Sequence, residues 1–158
     1  MLDAGAGTGA FAQAWIIENG STDLTLIDPS GVMLMRAKAN LASLMVEPRI
    51  VKSQLEGFKP KSSYTTIPAA HVIEHGDDPK MALRHFADWL EPGGQLFLVA
   101  SKPHWCNWLI WLRFRHRWFS ENQIKQCANA VGLSHILTHK FQAGPPSFTS
   151  LAYIFSKS

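Results

Sequence analysis

The chain of 158 residues is poor in cysteine and in charge, and it lacks a long apolar run. Its two cysteines, Cys106 and Cys127, fit neither a disulfide framework nor a metal-binding spacing, so a reducing, cytoplasmic compartment is expected. No apolar stretch reaches the length of a membrane span, and no signal peptide is visible. The charged fraction is only 17%, and the net charge of +3 is too small to argue for a nucleic-acid partner.

The apolar fraction of 46% predicts a globular chain with a substantial core. The length predicts one domain over residues 1–158. No internal repeat or low-complexity tract divides it. The evidence for function therefore has to come from local motifs.

The first ten residues, MLDAGAGTGA, contain the most informative motif. A strand ending near Asp3 is followed by Gly5, Gly7 and Gly9, and then by a helical pattern over residues 11–19. A strand, a glycine turn and a helix in this order predict a nucleotide-binding crossover. The glycines permit close backbone approach, and the helix N-terminus offers free N–H groups.

Two classes of cofactor fit this turn. Its spacing matches the dinucleotide pattern G-x-G-x-x-G/A. Asp3 favours the other class, because a carboxylate there would repel a pyrophosphate and attract a cationic amino-acid tail. An ordinary glycine-rich turn is the third interpretation.

The string LDAGAGTG at residues 2–9 resembles the first motif of class I S-adenosylmethionine (SAM) methyltransferases. A second string, WLEPGGQLFL at residues 89–98, is similar to the L-x-P-G-G turn before the fifth strand of that family, which dinucleotide enzymes do not share. The resemblance implies SAM as cofactor and S-adenosylhomocysteine as product. It places Asp3 beside the methionine moiety, with the glycines making room for it.

Further cofactor residues follow the next two strands. Asp28 lies about twenty residues after the glycine turn, where this architecture places a carboxylate on the ribose hydroxyls; a turn carboxylate before Pro29 is the alternative. By resemblance Gln54 meets the adenine amino group, and Glu56 is a rival for that role. The cofactor set is Asp3, Gly5, Gly7, Gly9, Asp28, Pro29, Gln54, Leu55 and His71.

The string His71-x-x-Glu74-His75 formally matches a zinc motif that requires both histidines on one helix. Here the motif follows an extended run and precedes a turn, so we expect no metal site. The same residues resemble the end of the fourth strand in small-molecule methyltransferases of the ubiquinone-biosynthesis type. The resemblance makes His71 or His75 a candidate general base, and structural packing of either histidine is the alternative.

Residues 102–119 are rich in aromatic and basic side chains. We interpret them as a lid or pocket wall, with Trp105, Trp108 and Arg117 as substrate residues. Three alternatives stay open: a buried helix with a basic end, an interfacial helix in weak contact with a membrane surface, and an aromatic platform for nucleic-acid bases.

The resemblance implies a Rossmann-like three-layer α/β/α sandwich with a mostly parallel seven-stranded sheet of order 3-2-1-4-5-7-6 and an antiparallel last strand. Pro68 conflicts with a regular fourth strand over residues 64–72, so we expect a bulge or a shortened strand there. Asp78 before Pro79, and Ser120 with Gln123, predict two helix starts. Strands over residues 133–141 and 149–156 predict an antiparallel hairpin.

The predicted function is transfer of a methyl group from SAM to a small-molecule acceptor. Family members carry tens of residues before the glycine motif, so the first strand is expected to be truncated and the affinity for SAM weak. The alternatives are a non-catalytic scaffold of the same fold and, ranked lower, an RNA methyltransferase.

Overall fold

The computed structural model describes residues 1–75, 78–102, 119–144 and 146–158. The strands are β1 (Leu2–Ala4), β2 (Thr25–Asp28), β3 (Arg49–Lys52), β4 (Tyr64–Ala70), β5 (Leu90–Ser101), β6 (Leu133–His139) and β7 (Ser150–Lys157). The helices are α1 (Ala10–Ile17), α2 (Gly31–Ala42), α3 (Pro79–Trp89), α4 (Glu121–Asn129) and the short α5 (Pro146–Thr149).

The seven strands form one sheet in the order β3-β2-β1-β4-β5-β7-β6. β1 to β5 pair in parallel, whereas β7 runs antiparallel to both β5 and β6. The predicted order and the antiparallel last strand are therefore confirmed. β1 has three residues, and Ala4 pairs with Ala69 on β4.

Buried side chains alternate between the two faces of the sheet, as the period of a β-strand requires. Leu26 on β2 belongs to one hydrophobic cluster with Leu34 and Leu41 of α2, whereas its neighbour Ile27 belongs to the opposite cluster with Phe86 of α3. α1 contacts α2, and α3 contacts α4. The sheet is thus the middle layer between two layers of helices.

The conflict at Pro68 is resolved in two ways. The register of β4 against β5 shifts between Tyr64 and Thr66, which confirms the predicted irregularity, yet the strand continues through Pro68 to Ala70. The amide of His71 donates to Val99 on β5, so alternation along β4 directs the Pro68 nitrogen towards the short β1 instead. The missing N–H of Pro68 therefore removes no hydrogen bond between β4 and β5.

The predicted helix starts are confirmed. Asp78 accepts the Lys80 amide at 2.8 Å with Pro79 in the first helical position. Ser120 and Gln123 form a capping box at the start of α4. At the other end of the chain, β6 and β7 pair antiparallel as expected, with α5 in their connection.

Gly20 follows α1 at a position where glycine often ends a helix. The left-handed residue is Asn19, with φ of 62°. Gly20 instead lies under the Trp15 indole, where an added Cβ would be 2.2 Å from Nε1. Glycine is needed at position 20 because the Trp15 indole leaves no space for a side chain. The local sequence pattern alone does not distinguish this packing requirement from helix termination.

The end of α2 places a methionine where glycine is usual. The Met45 amide donates to Ala42 and the Val46 amide to Leu41, the two bonds of a Schellman motif. Met45 has φ of 59° and its side chain is 96% exposed. This residue therefore carries backbone strain without contributing to the core.

We expect Met45→Gly to raise the free energy of unfolding by about 0.5–1 kcal/mol, because glycine adopts a left-handed φ without steric cost. The matched control is Met35→Gly, an exposed residue within α2, which should lower it by about 1 kcal/mol. Urea denaturation followed by circular dichroism measures both. An equal loss from the two substitutions would contradict the strain at Met45.

Candidate functional site

The glycine turn connects the carboxyl end of β1 to α1. The amides of Gly5 and Ala6 both donate to the carbonyl of Ile27, at 2.9 and 3.0 Å, which holds the turn against β2. Gly5 has φ of 69°, and a Cβ added there would lie 2.4 Å from Cγ2 of Val72. Glycine is needed at this position for both its backbone angle and the close approach of the residues after β4.

Gly7 and Gly9 have different structural roles. The Gly7 amide donates to Oδ2 of Asp28 at 2.9 Å. Gly9 caps α1 with φ of 79°, and an added Cβ would lie 3.0 Å from Cβ of Ala37, so it permits close packing of α1 on α2. Gly5 and Gly7 thus shape the turn, whereas Gly9 brings two helices together.

Asp28 joins the turn to the next helix. Its Oδ2 accepts the Gly7 amide, and its Oδ1 accepts the Ser30 amide at 2.7 Å. Because a carboxylate oxygen has two lone pairs, both oxygens retain capacity for another donor. The residue is partly exposed and lines the cavity described below.

Asp3 lies beneath the turn, with 2% of its surface exposed. Its Oδ2 accepts the Ala12 amide at 3.2 Å. Burial raises the pKa of Asp3 to about 7; the bond from Ala12 opposes this shift, and the nearby charge of Asp28 adds to it. Asp3 is therefore a carboxyl group that changes charge near neutral pH.

A cavity of about 810 Å³ opens at the carboxyl edge of the parallel strands. Open parallel sheets bind ligands at this edge. Its lining consists of Gly5, Asp28, Pro29, Gln54, Leu55, Glu56, Ala70, His71, Val72, His75, Asp78, Met81 and Ala82.

The described lining combines three carboxylates, Asp28, Glu56 and Asp78, with an apolar side that includes Leu55, Val72 and Met81. It contains no lysine or arginine among those residues. The electrostatic field in this part of the cavity therefore favours a ligand that carries positive charge.

Most of the sequence-predicted cofactor residues meet at this cavity. Gly5, Asp28, Pro29, Gln54, Leu55 and His71 line it. Asp3, Gly7 and Gly9 do not, although Gly7 is bonded to Asp28. Gln54 and Glu56 both line the cavity, so both remain candidates for the contact with the adenine amino group.

His71 ends β4 with φ of 54°, a left-handed conformation that is unusual for a residue with a side chain. Its Nδ1 lies 3.2 Å from Oε1 of Glu74 and 3.2 Å from Oγ of Ser101. The imidazole is 45% exposed. Both contacts involve the same ring nitrogen, so the three residues do not form the relay of a Ser-His-acid triad, which uses both nitrogens.

Glu74 is a functional candidate to which the sequence motifs assign no role of its own. Its side chain is fully buried, and Oε1 accepts the Ser101 amide at 2.6 Å. Burial raises the pKa of Glu74, but the bonds from His71 and Ser101 outweigh it, so the net pKa is lowered and the group is a carboxylate. Among the described residues, none forms a hydrogen bond with its Oε2.

His75 also lines the cavity, and its amide donates to Val72 at 3.3 Å. Residues 71–75 form a turn instead of the helix that the zinc pattern requires. Within the part of the chain that the structure describes, no group of three metal-ligating side chains is placed to hold an ion.

The expected substrate residues Trp105, Trp108 and Arg117 lie outside the described residues. No helix in the described ranges is both long and apolar enough to cross a membrane.

The fold and the site define an α/β protein with a cavity beside a glycine turn, at the carboxyl edge of a mostly parallel sheet. The family model of the methyltransferase domain matches residues 1–138. The chain belongs to this methyltransferase family.

A ubiquinone biosynthesis O-methyltransferase from Xanthomonas euvesicatoria pv. vesicatoria is 28% identical over 100 residues, covering 62% of this chain and 41% of that protein. The chain thus spans less than half the length of this relative. Among solved structures, a methyltransferase assigned by similarity from Bacillus halodurans matches with a TM-score of 0.83 and 15% identity, covering 99% of this chain and 91% of that one. The N-methyltransferase NodS from Bradyrhizobium japonicum, in complex with S-adenosylhomocysteine, matches with a TM-score of 0.78 and 18% identity, covering 99% and 76%. At these identities the two structures establish the fold alone.

Asp3 makes stability depend on pH. Its pKa is higher in the folded chain, about 7, than the ordinary value of 3.8, so the folded state binds more protons between these values. The free energy of unfolding therefore falls as pH rises from about 4 to about 7. We expect Asp3→Asn, which keeps an oxygen for the Ala12 amide, to remove this slope and to gain at most about 4 kcal/mol at alkaline pH.

Urea denaturation at pH 5 and pH 8 measures this difference, with the exposed Asp88→Asn as control. The stability of Asp3→Asn relative to Asp88→Asn should be greater at pH 8 than at pH 5 by about 2–3 kcal/mol, because only part of the loss has developed at pH 5. A wild-type slope that survives in Asp3→Asn would assign the pH dependence to another group.

The close approach of the glycine turn to Val72 gives a second prediction. Gly5→Ala should lower the free energy of unfolding by about 2–4 kcal/mol, since it adds a clash to an unfavourable φ. Gly7→Ala meets no atom within 4 Å and should cost only the strain, about 1–2 kcal/mol. In a Val72→Ala background, Gly5→Ala should cost no more than Gly7→Ala. A double-mutant cycle by chemical denaturation tests this, and additivity would refute the contact.

Proposed function

We propose that this chain binds SAM in the cavity at the carboxyl edge of the sheet and transfers its methyl group to a small-molecule acceptor. The observation that carries the proposal is the bond between Gly7 and Asp28, which fixes the glycine turn beside an acidic cavity. SAM carries a sulfonium and an ammonium group, and the carboxylates of the lining favour such a ligand.

In this proposal each part of the cavity holds one part of the cofactor. The two carboxylate oxygens of Asp28 accept hydrogen bonds from the ribose hydroxyls through their remaining lone pairs. Gln54 or Glu56 accepts the adenine amino group, with Pro29 and Leu55 as apolar contacts. Gly5 and Gly7 admit the methionine moiety to the turn, and Asp3 beneath it counters the positive charge of that moiety.

The chemistry proposed is an in-line displacement in which positioning and electrostatics supply most of the rate. The acceptor atom forms a bond to the methyl carbon, the carbon–sulfur bond breaks, and S-adenosylhomocysteine is released. The proton of a hydroxyl or amine acceptor passes to His71, which is exposed at the cavity. His75, on the same lining, is the second candidate base.

A small acceptor is favoured by the ubiquinone biosynthesis O-methyltransferase among the relatives and by the apolar side of the cavity. The net charge of +3 gives RNA little electrostatic attraction. The non-catalytic scaffold is disfavoured because residues that the resemblance assigns to the cofactor, Gly5, Asp28 and Pro29 among them, line one cavity.

Calorimetric titration of the purified chain with SAM and with S-adenosylhomocysteine tests the proposal. We expect both to bind, and Asp28→Ala to weaken binding about tenfold or more, because a hydrogen bond to a charged group contributes about 1.5–3 kcal/mol. Asp88→Asn, an exposed position on α3 outside the cavity, should bind as the wild type does.

Circular dichroism must show that the Asp28 variant is folded, because its carboxylate also caps backbone amides. Absence of binding by a folded wild-type chain would refute SAM binding by this chain. Equal affinities of wild type and Asp28→Ala would leave SAM binding intact and remove Asp28 from the site.

A further inference from the structure

We infer that Glu74 is a positioning residue that fixes the tautomer of His71, so that Nδ1 carries the proton and Nε2 is the basic nitrogen offered to the cavity. The inference rests on the proposed role of His71 as general base. It adds a residue that does not line the cavity and that the sequence motifs did not single out for this role.

The first step of the argument is the direction of one hydrogen bond. Oε1 of Glu74 lies 3.2 Å from Nδ1 of His71. An ionised carboxylate only accepts hydrogen bonds, so this contact is favourable only when Nδ1 holds a hydrogen. In a neutral imidazole the other nitrogen, Nε2, then carries the free lone pair.

The second contact to Nδ1 does not determine the tautomer. Oγ of Ser101 is also 3.2 Å away, but a hydroxyl both donates and accepts. Ser101 is therefore compatible with either tautomer, and Glu74 is the partner that decides between them. The two residues offer a matched pair of substitutions around one ring nitrogen.

A purely structural role for Glu74 would not require a charge. Joining the ends of β4 and β5 needs only an acceptor for the Ser101 amide, which a neutral side chain also provides. The chain instead buries a carboxylate completely, and no residue in the described ranges bonds to its Oε2. Burial of an ion is unfavourable unless specific bonds compensate it, and the imidazole of His71, which lines the cavity, supplies such a bond.

The backbone of His71 supports the same assignment. A left-handed φ at a residue with a Cβ is strained, and such residues persist where surrounding contacts hold them. Here the hydrogen bond from the His71 amide to the Val99 carbonyl holds the backbone. The contact between Nδ1 and Glu74 holds the ring. The ring is thus oriented from the buried side, with Nδ1 turned to the carboxylate.

The test is long-range proton–nitrogen NMR of the full chain labelled with nitrogen-15 in histidine, at alkaline pH where imidazoles are neutral. His71→Gln identifies the His71 signals by their disappearance. We expect the wild type to show a protonated Nδ1 and an unprotonated Nε2. Glu74→Gln should lower the ratio of the Nδ1–H to the Nε2–H form roughly five- to tenfold, because a charged acceptor forms a hydrogen bond about twice as strong as a neutral one.

Ser101→Ala is the matched control and should retain the wild-type pattern, since it removes the hydroxyl and keeps the amide and the carboxylate. A wild-type Nε2–H form, an unchanged ratio in Glu74→Gln, or loss of the pattern in Ser101→Ala would each overturn the inference. If Glu74→Gln does not fold, the wild type and Ser101→Ala decide it. The readout needs no SAM, so its failure is distinct from a failure to bind the cofactor.

Discussion

The arrangement of the site depends on the carboxylate of Asp28. One oxygen accepts the amide of Gly7 in the glycine turn, and the other accepts the amide of Ser30 at the start of α2. A single side chain thus fixes the turn, the end of β2 and a helix N-terminus relative to one another. Since charge-assisted bonds to backbone amides are strong, this link holds the rim of the cavity before any ligand enters.

Two buried carboxyl groups near that rim differ in the direction of their pKa shifts. Burial outweighs the bond from the Ala12 amide and raises the pKa of Asp3, whereas the bonds to Glu74 outweigh its burial and lower its pKa. A group poised between its two charge states suits a ligand that itself brings positive charge. A carboxyl group whose pKa is lowered, and which is therefore ionised near neutral pH, suits the orientation of an imidazole. The same residue class therefore serves two purposes, set by the number of donors that each site supplies.

Much of the fold was predictable because its signals are local. The glycine turn, the Asp78 N-cap and the Ser120 capping box each occupy a few adjacent residues, and the strand order followed from the family resemblance. What could not be predicted depends on contacts between distant residues. Glu74 acquires its role from the amide of Ser101, 27 positions later. No periodicity in the sequence reports such contacts.

Strained backbone at His71 and at Met45 has to be interpreted differently, although their φ angles of 54° and 59° are nearly equal. Met45 terminates a helix with its side chain in solvent, so its strain is a tolerated cost of the turn. His71 lies on a cavity, and a buried carboxylate holds its ring. Strain alone does not indicate function. Strain combined with a buried charge directed at the same side chain indicates that the fold stabilises one particular orientation of that side chain, and this is what a general base requires.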